Sequence, residues 1–395
     1  MKSPNTFKHR FLFSGWRNSH HSFSIVNQNH LLSALNHFDI ELYHQDMPLL
    51  LSHWNEKNNT TGFSQLNSSK LLNIPTKDEK DVDCVFRICA PMYPPNKTAK
   101  RTLTFAITEL GFNQNSLSSS TLTPIDYTQN NNLVITSSRW SRDRLIDFGF
   151  AEDKIRVVSC GVNTATFCPV SLEEYQVQRA SLNIPEDVFV FLNVGAPTWN
   201  KGPDLLIKAF CRVHSKLPAS RLILKDAKAL YGLSVDSVLQ QVSKDEPGLL
   251  TESVLVAISV ISTSISQDQL RSLYGLADCY VSPYRAEGFN LPVLEAQACG
   301  TSVIVSSGGA TDDFCNAKGI HKIASVFSRG PLGNEKECAW VEPDLDCLID
   351  LMTKAVMNGP RTKYESTFVQ NSLTLNASNF TWDKATDHLL NFMKS

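Results

Sequence analysis

No C-x-x-C pair occurs among the ten cysteines, and the ten histidines form neither H-x-H nor H-E-x-x-H. A zinc ribbon or a helix-borne zinc-hydrolase site is therefore not expected, and scattered thiols suit a reducing compartment better than a disulfide framework. Cys84 and Cys89 are nearest in sequence, but an offset of five along a strand sends their side chains to opposite faces. Long apolar runs are missing too. The longest lies near Val254 to Ile261, is interrupted by Ser259, and is far short of the ~20 residues that cross a bilayer as a helix. Lys2, Lys8 and Arg10 precede only Phe11-Leu12-Phe13, which is too brief for a signal-peptide core. The expectation is a soluble cytoplasmic protein, peripheral to a membrane at most. An excess of positive charge is also absent. Lys and Arg total 37 against 39 Asp and Glu, so nothing is available to neutralise many phosphates, and nucleic acid is not an expected partner.

What is present is enough apolar material for packed cores: 42% hydrophobic and 19% charged over 395 residues, a length that suits two domains. Strand-like runs alternate with helix-length patterns, the signature of parallel sheets with helices on both faces, so the fold class is α/β and doubly wound. In the first part, strands are expected at Phe7–Ser14, Phe38–Tyr43, Asp83–Ala90, Leu103–Thr108, Leu133–Thr136 and Ile155–Ser159. Helices are expected at Ser24–Leu35 and over SRWSRDRLIDFG, where Gly149 serves as C-cap. The polar stretch Asn55 to Lys70 reads as a solvated loop. The boundary falls within 168–186, giving domains 1–175 and 176–380 with a terminal segment 381–395. In the second part, strands are expected at Val188–Val194, Arg221–Lys225, Val254–Val260, Cys279–Pro283 and Val303–Ser306, with helices at Pro203–Leu217, Asp268–Ala277 and Pro292–Cys299. In FTWDKATDHLLNFM, Trp382, Ala385, Leu389 and Met393 share one helical face.

Ligands of open α/β sheets collect at the carboxyl ends of the strands, which directs attention to the loops after Val194, Lys225, Pro283 and Ser306. The richest is YVSPYRAEGFNLPVLEAQACG. Proline at the start of its helix leaves unpaired N–H groups at a positive dipole end, a socket for an anion such as phosphate. Gly288 lets the backbone approach closely. Glu295 sits in the first turn, where a carboxylate beside phosphate is repelled but one accepting from ribose hydroxyls is not. Glu287, on the loop itself, reaches toward a transferred group. The plainer alternatives are a dipole-stabilising carboxylate for Glu295 and a solvated loop residue for Glu287. Lys201, in VGAPTWNKGPDLLIKAF, is either a partner for a departing diphosphate or an ordinary surface lysine. Lys225 ends the apolar run RLIL and either snorkels to the edge or meets an anion. Near the amino end, FLFSGWRNSHHS repeats the strand-then-glycine arrangement. There Gly15 is a candidate border of a second substrate, and His20 or His21 is a base or a polar loop residue.

Three segments carry a resemblance: VITSSRWSRDRLIDFGFAEDKIRVVSCGVNTATFCP, LNVGAPTWNKGPDLLIKAF and ADCYVSPYRAEGFNLPVLEAQACGTSVIVSSGGATDDF. Together they resemble family-4 retaining glycosyltransferases of the GT-B type, within glycosyl transferases group 1. The resemblance implies two Rossmann-like domains facing each other across a cleft, with the donor on the second domain and the acceptor on the first. It further implies that the terminal helix crosses back to the first domain. By its E-x₇-E motif it places Glu287 near the sugar and Glu295 on the ribose of a nucleoside-diphosphate sugar, with Phe289, Asn290 and Leu291 offering N–H groups to the diphosphate. Lys201 matches the lysine of the family's basic pair. The arginine partner belongs near Ala196 and is absent, which leaves Arg285 or Lys225 to supply that charge. The implied acceptor is a carbohydrate, lipid-linked or small-molecule hydroxyl, with no metal or other cofactor required. Noncatalytic nucleotide-sugar binding and sugar-nucleotide epimerisation are the alternatives that keep this fold.

Overall fold

A computed structural model describes residues 8–17, 19, 21–48, 63–333, 335–360 and 365–395. The chain divides into two compact units, one of residues 1–161 with 381–395 and the other of residues 162–380. Among the described residues the first unit holds six strands: β1 (His9–Gly15), β2 (Ile40–Asp46), β3 (Cys84–Ile88), β4 (Thr102–Phe105), β5 (Leu133–Thr136) and β6 (Ile155–Val157). They run parallel in the order β2-β1-β3-β4-β5-β6. The second unit holds β7 (Phe189–Val194), β8 (Ser220–Lys225), β9 (Ile258–Ile261), β10 (Cys279–Ser282), β11 (Ser302–Ser306) and β12 (Ile320–Ile323). These are parallel in the order β12-β11-β10-β7-β8-β9. Each sheet reverses its winding once, between β1 and β3 and between β7 and β10. A crevice at the carboxyl ends is built in at such points.

Alternation along the strands of the first unit sends Phe13 and Phe86 to one face, where their rings meet edge-on at 5.3 Å. The helix Ser22–Ala34 and the helix Trp382–Lys394 cover that face. His30 is the fully enclosed link between them. Its ring lies 5.8 Å from Phe86 and 5.4 Å from Trp382, and its Nδ1 pairs with Thr386 Oγ1 at 2.9 Å. Burial pushes its pKa down to about 3, so the imidazole is neutral. Ser33 Oγ donates to Asp383 at 2.6 Å beside it. Gly161 passes so close beneath that a Cβ there would collide with the backbone of Thr381 and Trp382. Gly161→Ala is accordingly expected to destabilise the first unit by about 1–3 kcal/mol, a typical overpacking cost. Thermal unfolding of the full chain measures it.

Four local expectations are corrected. The apolar run 254–260 is not one strand: a helix Glu252–Ala257 precedes β9, and the Thr251 side chain caps it by accepting from Val254 N. Short apolar runs do not separate helix from strand by period. The polar stretch 55–70 is not wholly loop either. Residues 55–62 lie outside the described residues, but a helix Gln65–Leu72 begins at Ser64, whose side chain caps Asn67 N, and it buries Leu71. The helix after β10 starts at Leu291, with Pro292 second. Finally, the chain leaves the first unit at Gly161, ahead of 168–186. Residues 172–188 are fastened to the second unit by Arg179, which ion-pairs with Asp278 at 3.0 Å while both side chains are almost wholly buried.

The sequence reading missed an antiparallel hairpin, β13 (Ser325–Leu332) with β14 (Glu335–Pro343). All ten cysteines are free thiols, eight of them buried. Among the described residues, no helix is long and apolar enough to cross a membrane, and no cluster of three metal-ligating side chains occurs.

Candidate functional site

The site is built where the second sheet reverses. The chain leaves β7 at Val194 and turns through Gly195 to a short helical turn at Trp199–Lys201. Gly202 closes this turn with φ +68°, and a Cβ there would strike the Pro283 carbonyl oxygen of the neighbouring loop. Glycine is required on both counts. The loop after β10 lies directly against this turn: Arg285 N and Ala286 N both donate to Asn200 O, at 2.7 and 3.0 Å. Asn200 Nδ2 returns a bond to Ala286 O at 3.1 Å. This backbone contact brings together two residues 86 positions apart, Lys201 and Glu287, whose Nζ and Oε1 are 2.7 Å from each other. The Glu287 side chain is 8% exposed and that of Lys201 25%, so the pair sits in a low-dielectric wall with the ammonium toward solvent.

Beyond Glu287 the chain enters its helix through Gly288 and Phe289, both buried, with Phe289 stacked on Phe314 at 4.7 Å. Asn290 takes the left-handed conformation, φ +77°, at the N-cap of Leu291–Ala298. Its amide does not cap that helix but donates to Ser282 Oγ at 3.0 Å, locking the loop to the end of β10. Leu291 begins the helix and Pro292 brings no N–H, so donors remain at a positive dipole end. Glu295 follows one turn later. Tyr274 Oη donates to its Oε2 at 2.8 Å, and burial pushes the carboxyl up to about 7 against the opposing pull of that hydrogen bond.

The other predicted residues fall into different places. Lys225 ends β8 in register with Val194, at the same carboxyl edge, and its ammonium meets the Asp226 carbonyl. Burial lowers its pKa. Arg285 is engaged within the protein. Its guanidinium grips Asp204 through two bonds of 2.8 and 2.9 Å, Glu342 at 3.0 Å and the Trp199 carbonyl at 3.0 Å. It also lies over the Trp199 ring at 4.7 Å. Arg285 thus ties the Lys201 turn, its own loop and the hairpin strand β14 into one body. Ala196, where the resemblance expects an arginine, follows Gly195, whose Cβ position lies 3.4 Å from the Lys201 stem.

In the first unit, Gly15 is accounted for by packing, since a Cβ there would lie 2.6 Å from Ile88 and 3.1 Å from Asn27. His21 is the N-cap of Ser22–Ala34: its Nδ1 accepts from Phe23 N at 3.2 Å, and its ring meets Trp16 and Phe23 edge-on. Burial lowers its pKa to about 4, partly offset by Glu109. His20 lies outside the described residues. Sequence reasoning missed Tyr274, which looks like one more aromatic on an amphipathic helix, and the Arg285 clamp.

Residues 174–322 match the family described as Glycosyl transferases group 1. The D-inositol 3-phosphate glycosyltransferase 1 of Catenulispora acidiphila is 31% identical over 180 residues, 45% of this chain and 41% of that protein. The D-inositol 3-phosphate glycosyltransferase of Mycobacterium bovis is 27% identical over 258 residues, 65% of this chain and 47% of the relative. This chain therefore spans less than half the length of these curated relatives. Among solved structures, Anabaena HepE in complex with UDP-glucose superposes with a TM-score of 0.68 at 13% identity, over 98% of this chain and 99% of that one. WaaG, a glycosyltransferase involved in lipopolysaccharide biosynthesis, gives 0.57 at 13% identity over 98% and 99%. Residues 174–322 of the second unit are thus similar to the glycosyl transferases group 1 family, in a chain with the two-sheet α/β fold of GT-B glycosyltransferases.

Proposed function

We propose that this protein is a retaining glycosyltransferase that moves a sugar from a nucleoside diphosphate to an acceptor hydroxyl, carried by a glycan, a lipid or a small molecule. The observation that carries this reading is the Lys201–Glu287 pair at the reversal of the second sheet, with a partly buried Glu295 eight residues after Glu287, one turn into the helix Leu291–Ala298. In this reading the diphosphate is held by N–H groups of Phe289, Asn290 and Leu291, while the Lys201 ammonium offsets the charge that grows on it as the glycosidic bond breaks. Glu287, held by Lys201, lies against the sugar, and Glu295 accepts from the ribose hydroxyls. Lys225, at the same strand edge, is the remaining candidate for the second positive charge, because Arg285 is consumed by Asp204 and Glu342. The acceptor hydroxyl attacks from the face the diphosphate leaves, giving retention. The electrostatics come from the chain itself, so no metal or cofactor is needed, and cytoplasmic residence with peripheral membrane contact fits a lipid-linked acceptor.

A second reading, a nucleotide-sugar binder without turnover, rests on Ala196 standing where the family's arginine is expected. One experiment separates the two. A donor present at 100 times its dissociation constant is expected to stabilise the fold by ~2.7 kcal/mol, a rise of several degrees in thermal midpoint. UDP-, GDP- and ADP-sugars are screened in this way, with Glu295→Ala expected to abolish the rise. Release of nucleoside diphosphate on adding acceptor supports the transferase. Binding with no release under any acceptor supports the second reading, and no stabilisation by any donor sinks both.

A further inference from the structure

Tyr274 lies on the helix Gln267–Leu276, outside every loop that the family motif defines. It is fully buried, and its ring is held edge-on by Phe167 at 6.1 Å and by Tyr280 at 5.8 Å. The backbone beneath it is fixed as well, because Thr301 Oγ1 donates to Tyr274 O at 2.6 Å. The following residue, Gly275, has no room for a side chain against Val170. A phenol so constrained has one direction in which to donate, and that direction holds Glu295 Oε2 at 2.8 Å.

We propose that Tyr274 is a positioning residue of this site: its hydroxyl fixes the Glu295 carboxylate in its charged form with the second oxygen left to accept from the paired hydroxyls of a nucleotide's ribose. The proposal rests on the reading of Glu295 given above. Three other groups share the neighbourhood. Tyr280, from β10, faces Glu295 and also feels Glu287 and Lys201, and Cys299, on the Glu295 helix, acts on Tyr274. Burial pushes Tyr274 and Tyr280 well above the ordinary phenol range, so neither phenol titrates near neutrality, whereas Glu295, pushed up to about 7, does. A hydrogen bond to the ionised form lowers a carboxyl pKa, so removing it raises the pH needed for ionisation.

The test is nucleotide-sugar affinity of the full chain between pH 5.5 and 9, with the tightest binder among UDP-, GDP- and ADP-sugars, for wild type, Tyr274→Phe, Glu295→Gln and the double variant. Wild-type affinity is expected to fall as pH drops through about 7. In Tyr274→Phe that midpoint is expected to move up by about one pH unit, giving roughly fivefold weaker binding at pH 7 that recovers toward pH 9. Glu295→Gln removes the midpoint, and Tyr274→Phe adds nothing on top of it. A merely structural tyrosine lowers affinity equally at every pH, so an unmoved midpoint in Tyr274→Phe overturns the proposal while leaving the role of Glu295 intact. Wild-type affinity in Glu295→Gln, or no binding by any of the three sugars, overturns both.

Discussion

Asp278→Ala is expected to destabilise the second unit by about 3–5 kcal/mol, the usual cost of leaving one partner of a buried ion pair alone. Few residues here are wired so fully. Asp278 accepts from Arg179 Nη1 at 3.0 Å, from Tyr175 Oη at 3.0 Å and from the Val190 backbone N–H at 2.8 Å. Arg179 in turn donates to the Pro185 and Val188 carbonyls, so one carboxylate secures the helix Leu172–Ser181, the turn after it and the start of β7. At 2–4 °C per kcal/mol for a unit of this size, the thermal midpoint drops by about 6–20 °C, which calorimetry or circular dichroism measures. Replacing both partners by apolar residues of similar volume is expected to recover most of the loss, because the penalty lies in the orphaned guanidinium. A shift below about 1 °C for Asp278→Ala shows that residues 172–188 are held by something else.

Lys201→Met is the substitution with the largest expected effect on chemistry. Removing one preorganised group that faces developing charge costs about 10²–10³ in turnover, or ~2.7–4 kcal/mol of barrier. Here the methionine also strips an ion-pair partner from Glu287, which is more deeply buried than the lysine. Two losses through one contact do not add. Glu287→Gln in the Lys201→Met background is expected to cost much less than Glu287→Gln alone, a coupling that a double-mutant cycle measures directly. Steady-state kinetics with saturating acceptor read the effect in kcat. Turnover within threefold of wild type removes Lys201 from the chemical step and moves the search for the cation to Lys225.

The residues that the sequence could place were those whose roles depend on local order. Lys201 follows a buried strand and precedes a proline-led helix, and Glu287 precedes another in which Glu295 lies, so strand, loop and helix were readable without knowing what lies alongside. Arg285 was not readable in this way, because Asp204 is 81 positions away and Glu342 is 57, and nothing in RAEG foretells which carboxylates the fold brings near. For Gly15 and His21 the difficulty is the opposite one. A glycine after a strand and a histidine before a helix look the same whether they serve a ligand, a close contact with Ile88 or a cap on Phe23. Tyr274 was hidden by its chemistry, since a phenol in an apolar stripe is counted as filler until its hydroxyl is seen to meet a carboxylate. The run 254–260 split into helix and strand because a Thr251 cap outweighed a nearly all-apolar composition.

The assignment of residues 381–395 to the first unit carries a cost in the order of synthesis. A ribosome must translate all of residues 162–380 before it makes the helix that shields His30 and the phenylalanines beneath it. The nascent first unit therefore waits, with an aromatic strip open to water, while its successor completes its own fold. Maturation runs against the usual amino-to-carboxyl sequence, and the helix Trp382–Lys394, made after the whole second unit, determines when the first unit is finished.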